Sequence, residues 1–371
     1  MSASIVLAGG GTAGHVNPLL ATAHAISELS PQTQIVAVGT AGGLETDLVP
    51  QAGYQLETIP RVPMPRRPSA DLLRMPRHLA QAVRAAGEIL DRYHANVVIG
   101  FGGYAATPVY LAARKRRIPV IVHEGNARPG LANKLGARFA ATVALTFPST
   151  PLRAQRGITV CVGLPLRAEI EHLATRPGGR AAIRKEAAQR FGLDPQQPTL
   201  LITGGSSGAQ HLNEVLCEVA NEIRQAGVQV IHVTGRGKDE LVRSAAPDDR
   251  YVVLDYLTDM DYAYAASDLV ITRAGAGMVA EVSAVGLPAV FVPLPIGNGE
   301  QELNAKDVVN AGGAMLIRNK QFTAQVVREQ ILPLFHGGTL TQMSEQARGV
   351  SPLDAAGRLA KMALRLVGVT Q

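Results

Sequence analysis

Short apolar runs alternate with longer amphipathic segments along most of this chain. Five such runs stand in the first half, SIVLAG, IVAVG, VVIGFG, VIVHE and TVALT, and five in the second, TLLITGG, VQVIHVTG, YVVLDY, LVITRAG and AVFVPL. Apolar runs of this length that are separated by helix-length segments are typical of parallel strands joined by crossover helices. The pattern therefore predicts an α/β protein built on parallel sheets.

The two halves of the chain begin in the same way. IVLAGGGTAGHVNPLLATAHAI (5–26) and LLITGGSSGAQHLNEVLCEVANEI (200–223) share a strand, a glycine-rich turn with Thr or Ser, and a helix. This repeat predicts two Rossmann-like domains, 1–163 and 164–350, with the break in the Gly- and Pro-containing segment 161–170. Because open α/β sheets bind ligands at the carboxyl ends of their strands, we expect a cleft between two facing domains.

Composition limits where the protein works and what it binds. The 371 residues are 46% hydrophobic and 18% charged, as in globular proteins, and the sequence has neither a signal peptide nor a membrane span, which favours the cytoplasm. Cys161 and Cys217 lack metal-ligand spacing. Residues 1–163 carry 16 Lys and Arg against 8 Asp and Glu, whereas the remainder carries 20 against 22. The basic first half predicts an anionic partner, either a membrane surface or a nucleic acid, and the 4% aromatic content disfavours an RNA-stacking platform.

The first glycine loop, LAGGGTAGHVNP (7–18), matches the spacing of a dinucleotide-binding fingerprint. An NAD site also needs an acidic residue at the end of the second strand. Here the first carboxylate, Glu45, comes only after the loop GTAGG that follows that strand, which disfavours NAD binding. A P-loop is excluded, because His15 stands where the lysine would be. An anion cradle or a closely approaching substrate remains, and His15 either takes a proton from a sugar hydroxyl or packs on the first helix.

The segment TRAGAGMVAEVSAVGLPAVFVPLP (272–295) predicts a nucleotide-sugar site. A strand ends at a Gly-Ala-Gly turn that opens a helix, and bare N–H groups at a helix start can hold a diphosphate. Glu281, one turn further on, can accept both hydroxyls of a ribose. The next loop offers Glu300, Gln301 and Asn304 for sugar hydroxyls.

An Asp-x-Asp pair, Asp259 and Asp261, raises the question of a metal-bound diphosphate. We interpret Thr258 and Asp259 as the start of a helix, whose N-terminus favours acidic residues, and predict no metal. The backbone of Leu257, just before them, can meet the edge of a nucleobase.

Six motifs occur together and in order: GGTAGHVNP (10–18), GFGGYAATP (100–108), HEGNARPGLANK (123–134), GGSSGAQHLN (204–213), RAGAGMVAEVSAVGLPAVFVPLP (273–295) and GEQELNA (299–305). Across essentially its whole length the sequence resembles the MurG family of bacterial UDP-N-acetylglucosamine transferases, which convert lipid I to lipid II on the inner face of the cytoplasmic membrane. The resemblance implies a glycosyltransferase-B fold and a C-terminal helix, 352–368, that packs back on the first domain.

The resemblance also implies a set of site residues. For the donor these are Arg167, Ser206, Leu257, Gly275, Ala276, Gly277, Met278, Val279, Ala280, Glu281 and Gln301. For the acceptor they are Thr12, Ala13, Gly14, Tyr104 and Asn126, with His15 or Glu124 as the catalytic base. The chain departs from the commoner family pattern at Ala13, Ser207, Gly125 and Glu300.

The reaction implied is a single inverting displacement in which a sugar C4 hydroxyl attacks the donor's anomeric carbon and UDP leaves, with no metal and no cofactor. The partners implied are UDP-GlcNAc, the lipid-linked acceptor undecaprenyl-pyrophosphoryl-MurNAc-pentapeptide and an anionic membrane surface, but no nucleic acid. One alternative, a non-hydrolysing UDP-GlcNAc 2-epimerase, shares this architecture, and a second, from another class, is a non-catalytic nucleotide-sugar sensor. We expect segment 61–86 to dock a peripheral enzyme on the membrane, assisted by RKRR (114–117). Its six arginines and one acid are interleaved with apolar residues in a spacing that suits a short amphipathic helix lying in the headgroup region; these apolar residues are Leu72, Leu73, Met75, Leu79 and Val83.

Overall fold

The computed structural model describes residues 3–62, 70–204, 210–295 and 299–368, including the side chains of all of these except 70–74. The chain divides into two compact units, Met1–Arg167 with Asp354–Gln371, and Ala168–Leu353. The division falls between Arg167 and Ala168, inside the segment 161–170 where the break was expected and a few residues after the expected boundary at 163, so Arg167 ends the first unit.

The first unit is a seven-stranded parallel sheet with helices on both faces, in the order β3-β2-β1-β4-β5-β6-β7. Its elements are β1 Ser4–Ala8, α1 Ala13–Leu29, β2 Gln34–Thr40, α2 Glu45–Gln51, β3 Gln55–Ile59, α3 Ala70–Arg92, β4 Val97–Gly100, α4 Ala106–Arg116, β5 Val120–Glu124, α5 Leu131–Gly136, β6 Thr142–Leu145, β7 Ile158–Cys161 and, from the end of the chain, α16 Ala355–Leu366.

The second unit is a six-stranded parallel sheet in the order β10-β9-β8-β11-β12-β13. Its elements are α6 Ala168–Thr175, α7 Arg184–Arg190, β8 Thr199–Thr203, α8 Gln210–Glu218, α9 Ala220–Gln225, β9 Gln229–Val233, α10 Glu240–Ala245, β10 Tyr251–Leu254, α11 Met260–Ala266, β11 Leu269–Thr272, α12 Ala276–Ala284, β12 Ala289–Phe291, α13 Glu300–Asn310, β13 Ala314–Leu316, α14 Ala324–Val326 and α15 Thr339–Ala347.

Both sheets reverse their winding direction next to their first strand, between β1 and β4 and between β8 and β11. The carboxyl ends of strands at such a switch point leave a crevice in which α/β proteins bind ligands. The glycine loop containing His15 follows β1, and the TRAGAG turn follows β11. Each unit therefore presents one of the predicted motifs at its own switch point.

All ten predicted strands are confirmed, and the fold class is the expected pair of Rossmann-like domains. Three strands were missed: β3, β7 and β13. Each lies at the edge of its sheet, where one side has no neighbouring strand and the residues are less buried. Ile158 at the start of β7, for example, is exposed.

The C-terminal helix α16 completes the core of the first unit. Leu359, Ala360, Ala363 and Leu364 are buried in one apolar cluster with Val16, Leu19, Ala23 and Ile26 of α1. The opposite face of the same sheet is covered by α3 and α4. Among the described residues, no helix combines the length and the apolar character that crossing a bilayer requires.

Candidate functional site

Most glycines of the first loop are explained by the fold itself. A Cβ on Gly9 would lie 3.2 Å from the Phe101 Cβ, a Cβ on Gly10 would overlap the Glu45 side chain, and Gly11 has a left-handed φ of +89°. Gly14 is different, because the nearest atom to a Cβ there would be the Thr12 Oγ1, at 3.8 Å. The dinucleotide-like spacing thus arises largely from packing, while Gly14 leaves the first turn of α1 bare.

His15 stands in the first turn of α1 with its ring turned back toward the loop. Its Nδ1 lies 3.1 Å from the carbonyl oxygen of Gly10 and 3.3 Å from the Thr12 Oγ1. Because a carbonyl only accepts hydrogen bonds, the neutral ring carries its proton on Nδ1 and keeps its lone pair on Nε2. Burial lowers the pKa of His15 below the ordinary 6.5 expected from the sequence, so at neutral pH Nε2 is available as a base.

Glu124, the alternative base, is 3% exposed at the end of β5. Its carboxylate accepts hydrogen bonds from the backbone N–H groups of Asn126 and Gly130, both at 2.9 Å, and from the Asn133 Nδ2 at 3.0 Å. Burial raises the pKa of this carboxyl, against the lowering effect of these donors. These three hydrogen bonds use both oxygens of the carboxylate and hold the loop from β5 to α5.

The other acceptor candidates follow the carboxyl ends of neighbouring strands of the first sheet, on loops or, for Ala13 and Gly14, in the first turn of α1. Thr12, Ala13 and Gly14 follow β1, Tyr104 follows β4, and Asn126 follows β5. Tyr104 is 40% exposed, and the guanidinium of Arg61 stacks 4.7 Å from its ring centroid. The structure thus gathers these residues along one edge of the sheet, with His15.

In the second unit the start of α12 is open. Gly275 is the N-cap residue, no side chain caps the helix, and its first turn contains no acidic residue. A Cβ on either Gly275 or Gly277 would meet nothing within 4 Å, and neither residue has a left-handed φ. Neither the backbone nor the packing of this unit therefore requires glycine here, whereas the close approach of an anionic ligand to the N–H groups would.

Glu281 lies further along α12, and its Oε2 accepts a hydrogen bond of 2.7 Å from the hydroxyl of Tyr264. Tyr264, on α11, is 0% exposed, and its hydroxyl also lies 3.3 Å from the Met278 Sδ. The tyrosine orients the carboxylate that was predicted to hold the ribose. Its distance along the chain from Glu281 gave no sequence signal for this role.

Gln301 and Asn304, on α13, brace the loops of the same switch point. The Gln301 Oε1 accepts from the Leu294 N–H at 2.9 Å, and the Asn304 Nδ2 donates to the Ala274 carbonyl at 3.3 Å. Asn304 is buried, whereas Glu300 and Gln301 are partly exposed. Both amides therefore fix the backbone beside the TRAGAG turn.

The structure says less about the remaining donor candidates. Ser206 lies outside the described residues, and Leu257 follows the end of β10. Ala276 and Met278 are partly exposed in the first turn of α12, but Val279 and Ala280 are buried. Because the side chains of Val279 and Ala280 pack in the core, they present no side-chain surface to a ligand. A donor contact of these two residues would have to be made by their backbone, and their assignment to the donor site stays a prediction.

The local structure agrees with the interpretation of Thr258 and Asp259 as the start of a helix. Asp259 is the N-cap residue of α11 and forms an ion pair with Arg190. Within the described ranges no group of three or more His, Cys, Asp or Glu side chains is arranged to hold a metal ion.

The basic segment 61–86 only partly matches the docking helix expected from the sequence. Val83 is 7% exposed in the core of the first unit, and Leu79 packs against that core, so their assignment to a membrane face is wrong. In the RKRR segment, Arg116 pairs with Asp91 at 2.6 Å and Arg114 stacks on Phe139. Arg77 and Arg84 are exposed, whereas Arg66, Arg67, Leu72, Leu73 and Arg74 fall where no side chain is described.

Comparison with known proteins gives a consistent result over both units. Residues 5–145 match the glycosyltransferase family 28 N-terminal domain, and residues 199–359 match the C-terminal domain of that family. A relative from Nocardioides sp., named UDP-N-acetylglucosamine–N-acetylmuramyl-(pentapeptide) pyrophosphoryl-undecaprenol N-acetylglucosamine transferase, is 52% identical over 365 residues, 98% of each chain. A relative of the same name from Streptomyces coelicolor is 50% identical, over 96% of each chain.

Among solved structures, the crystal structure of Acinetobacter baumannii MurG matches with a TM-score of 0.78 and 29% identity, covering 98% of this chain and 100% of that one. Sequence and structure comparisons thus agree over nearly the whole length. The chain belongs to the MurG family of UDP-N-acetylglucosamine transferases, built from the N-terminal and C-terminal domains of glycosyltransferase family 28.

Proposed function

We propose that this protein transfers GlcNAc from UDP-GlcNAc to the C4 hydroxyl of MurNAc in undecaprenyl-pyrophosphoryl-MurNAc-pentapeptide, lipid I, to form lipid II. The relatives that carry this activity in their names cover both units of the chain at about half identity. The geometric observation that supports it is the bare, uncapped start of α12, at Gly275 and Gly277, with Glu281 on the same helix.

In the proposed reaction the His15 Nε2 takes the proton from the C4 hydroxyl as its oxygen attacks the anomeric carbon of GlcNAc. The new C–O bond forms as the bond from that carbon to the diphosphate breaks, and UDP leaves with the electron pair. The N–H groups at the start of α12, with Arg167 and Ser206, stabilise the leaving diphosphate, and Glu281 holds the ribose. Uracil meets the backbone at Leu257, and Gln301 contacts GlcNAc hydroxyls.

We further propose that the protein acts as a peripheral enzyme on the cytoplasmic face of the membrane. Its acceptor is anchored in lipid, and the first 163 residues carry an excess of positive charge. Anionic lipid headgroups attract such a surface. The exposed Arg77 and the arginines before it are the proposed contact.

Release of UDP in the presence and absence of a lipid I analogue tests the proposed activity against its alternatives. A transferase releases UDP only when the acceptor is added. Conversion of UDP-GlcNAc to its 2-epimer without acceptor indicates the epimerase, and binding without any turnover indicates the sensor. Either of these two outcomes contradicts the proposal.

A further inference from the structure

Two carboxyl side chains in the described ranges are buried, Glu45 and Glu124, and the proposed reaction uses neither. Glu45 begins α2 and is 0% exposed. Its Oε2 accepts from the Gly11 N–H at 2.7 Å, and its Oε1 accepts from the Thr40 N–H at 2.9 Å and from the Thr40 Oγ1 at 3.2 Å. Burial opposes ionisation, but these donors outweigh it and lower the pKa of Glu45, so the group is a buried carboxylate at neutral pH.

The backbone around this carboxylate is shaped to admit it. A Cβ on Gly10, Gly39 or Gly43 would overlap the Glu45 side chain, and none of the three has a left-handed φ. Three glycines, one in the loop after β1, one in β2 and one in the loop after β2, thus make room for one side chain. Glu45 therefore ties the loop after β2 to the glycine loop after β1.

The carboxylate and His15 are joined through a single peptide group. The N–H of Gly11 and the carbonyl of Gly10 belong to the same peptide bond. That N–H donates to Glu45, and that carbonyl accepts from the His15 Nδ1 at 3.1 Å. Hydrogen bonds in such a chain polarise one another, so a negative charge at one end favours a positive charge at the other.

We propose that Glu45 is a positioning residue for His15, acting through the Gly10–Gly11 peptide to fix the ring orientation and to stabilise the imidazolium that forms when Nε2 takes the acceptor's proton. This inference rests on the proposed role of His15 as the base. It assigns to Glu45, through one intervening peptide, the task that a carboxylate performs by direct contact in Ser-His-Asp triads.

The electrostatic surroundings of His15 suit this role. Among the residues that the structure describes, Glu45 on α2 and His123 on β5 are the titratable side chains that interact with His15. The charge of Glu45 raises the pKa of His15, against the stronger effect of burial. Burial lowers the pKa of His123 to about 4, so this second ring is uncharged at neutral pH. The Thr12 hydroxyl and the backbone of Gly102 also lie close to the His15 ring. Glu45 is thus the charged partner of His15.

The test is the near-isosteric variant Glu45→Gln, with Glu28→Gln, an exposed site on α1, as a control of equal charge change. The pKa of His15 is measured by NMR of the ring, and kcat and donor affinity are measured beside it. We expect the His15 pKa and the acidic limb of the kcat/KM profile to move to lower pH. We also expect kcat to fall by about tenfold or more, part of the ~10²–10⁴-fold that a general base contributes. Glu28→Gln should match the wild type. UDP-GlcNAc affinity should change less than about twofold in both variants, since all the proposed donor residues except Arg167 lie in the other unit.

A folded Glu45→Gln protein with an unchanged His15 pKa overturns the inference, whether or not kcat falls, because a purely structural role would leave that pKa in place. A second measurement needs no Glu45 variant. In the wild type the Gly11 amide proton should shift with the titration of His15, and the shift should vanish in His15→Ala. If the chemical shift of the Gly11 amide proton does not change as His15 titrates, the inference is also overturned. Both results are independent of acceptor turnover, so failure of the wild type to transfer GlcNAc would instead count against the proposed function.

Discussion

Glu281 provides the sharpest quantitative test of the donor site. Its carboxylate already accepts 2.7 Å from the buried Tyr264 hydroxyl, so it is held in one orientation before any ligand binds. Replacing it by Ala removes the acceptor of the ribose hydroxyls. Hydrogen bonds to charged groups contribute about 1.5–3 kcal/mol, which corresponds to a roughly 10- to 150-fold weaker affinity for UDP.

Removing one ribose hydroxyl from the ligand tests the same contact from the other side. We expect calorimetry to show that the wild type binds UDP more tightly than 2′-deoxy-UDP, because only UDP has the complete diol. Glu281→Ala should bind the two nearly equally. Glu281→Gln keeps an oxygen that accepts from Tyr264, so it separates loss of the ribose contact from loss of support for a buried hydroxyl. Equal discrimination by wild type and Glu281→Ala would refute the ribose assignment.

Three further predictions concern the catalytic base, the start of α12 and the membrane contact. His15→Ala should lower kcat by about 10²- to 10⁴-fold with little change in UDP affinity, and full activity of the variant would leave His15 a structural residue. Because burial lowers the pKa of His15, kcat/KM of the wild type should stay constant to below pH 6.5 and fall only at lower pH, where the ring is protonated. Gly277→Ala, in the first turn of α12, should raise the thermal midpoint, since alanine is favoured over glycine in a helix by about 0.5–1 kcal/mol, while it weakens UDP binding; unchanged binding would show that no ligand approaches there. A variant in which Arg66, Arg67, Arg74 and Arg77 are replaced by Glu should no longer sediment with anionic vesicles at low salt, since each basic residue near the bilayer contributes ~1 kcal/mol. The control makes the same charge change at four exposed residues of the second unit, Lys185, Lys238, Lys306 and Lys320, and should still sediment. Equal loss of sedimentation in both variants would indicate a general charge effect.

The sequence predicted those parts of the fold that depend on local composition. Nine of the ten predicted runs are interior parallel strands, which are apolar along their whole length, and the tenth is the edge strand β10. The strands β3, β7 and β13 are also edge strands, but β3 and β7 contain polar residues and β13 has only three residues, so none of them stands out as an apolar run. The repeat of strand, glycine turn and helix likewise identified the two Rossmann-like units.

Contacts between distant positions could not be predicted in this way. Gly10 lies next to a carboxylate that stands more than thirty positions later in the chain, so its role as space for Glu45 leaves no trace in the motif. The same applies to Tyr264 and Glu281, 17 positions apart. The apolar stripe of segment 61–86 was misassigned for another reason: its period predicts an amphipathic helix, but not whether Leu79 and Val83 face lipid or the protein's own core.

The most direct test of the central claim is the structure of the product made by the purified protein from UDP-GlcNAc and a lipid I analogue. The account predicts one β-1,4-linked GlcNAc on the MurNAc of each acceptor consumed, with one UDP released for each, as a single displacement by the C4 hydroxyl requires. An α linkage, or consumption of UDP-GlcNAc with no sugar on the acceptor, would contradict it.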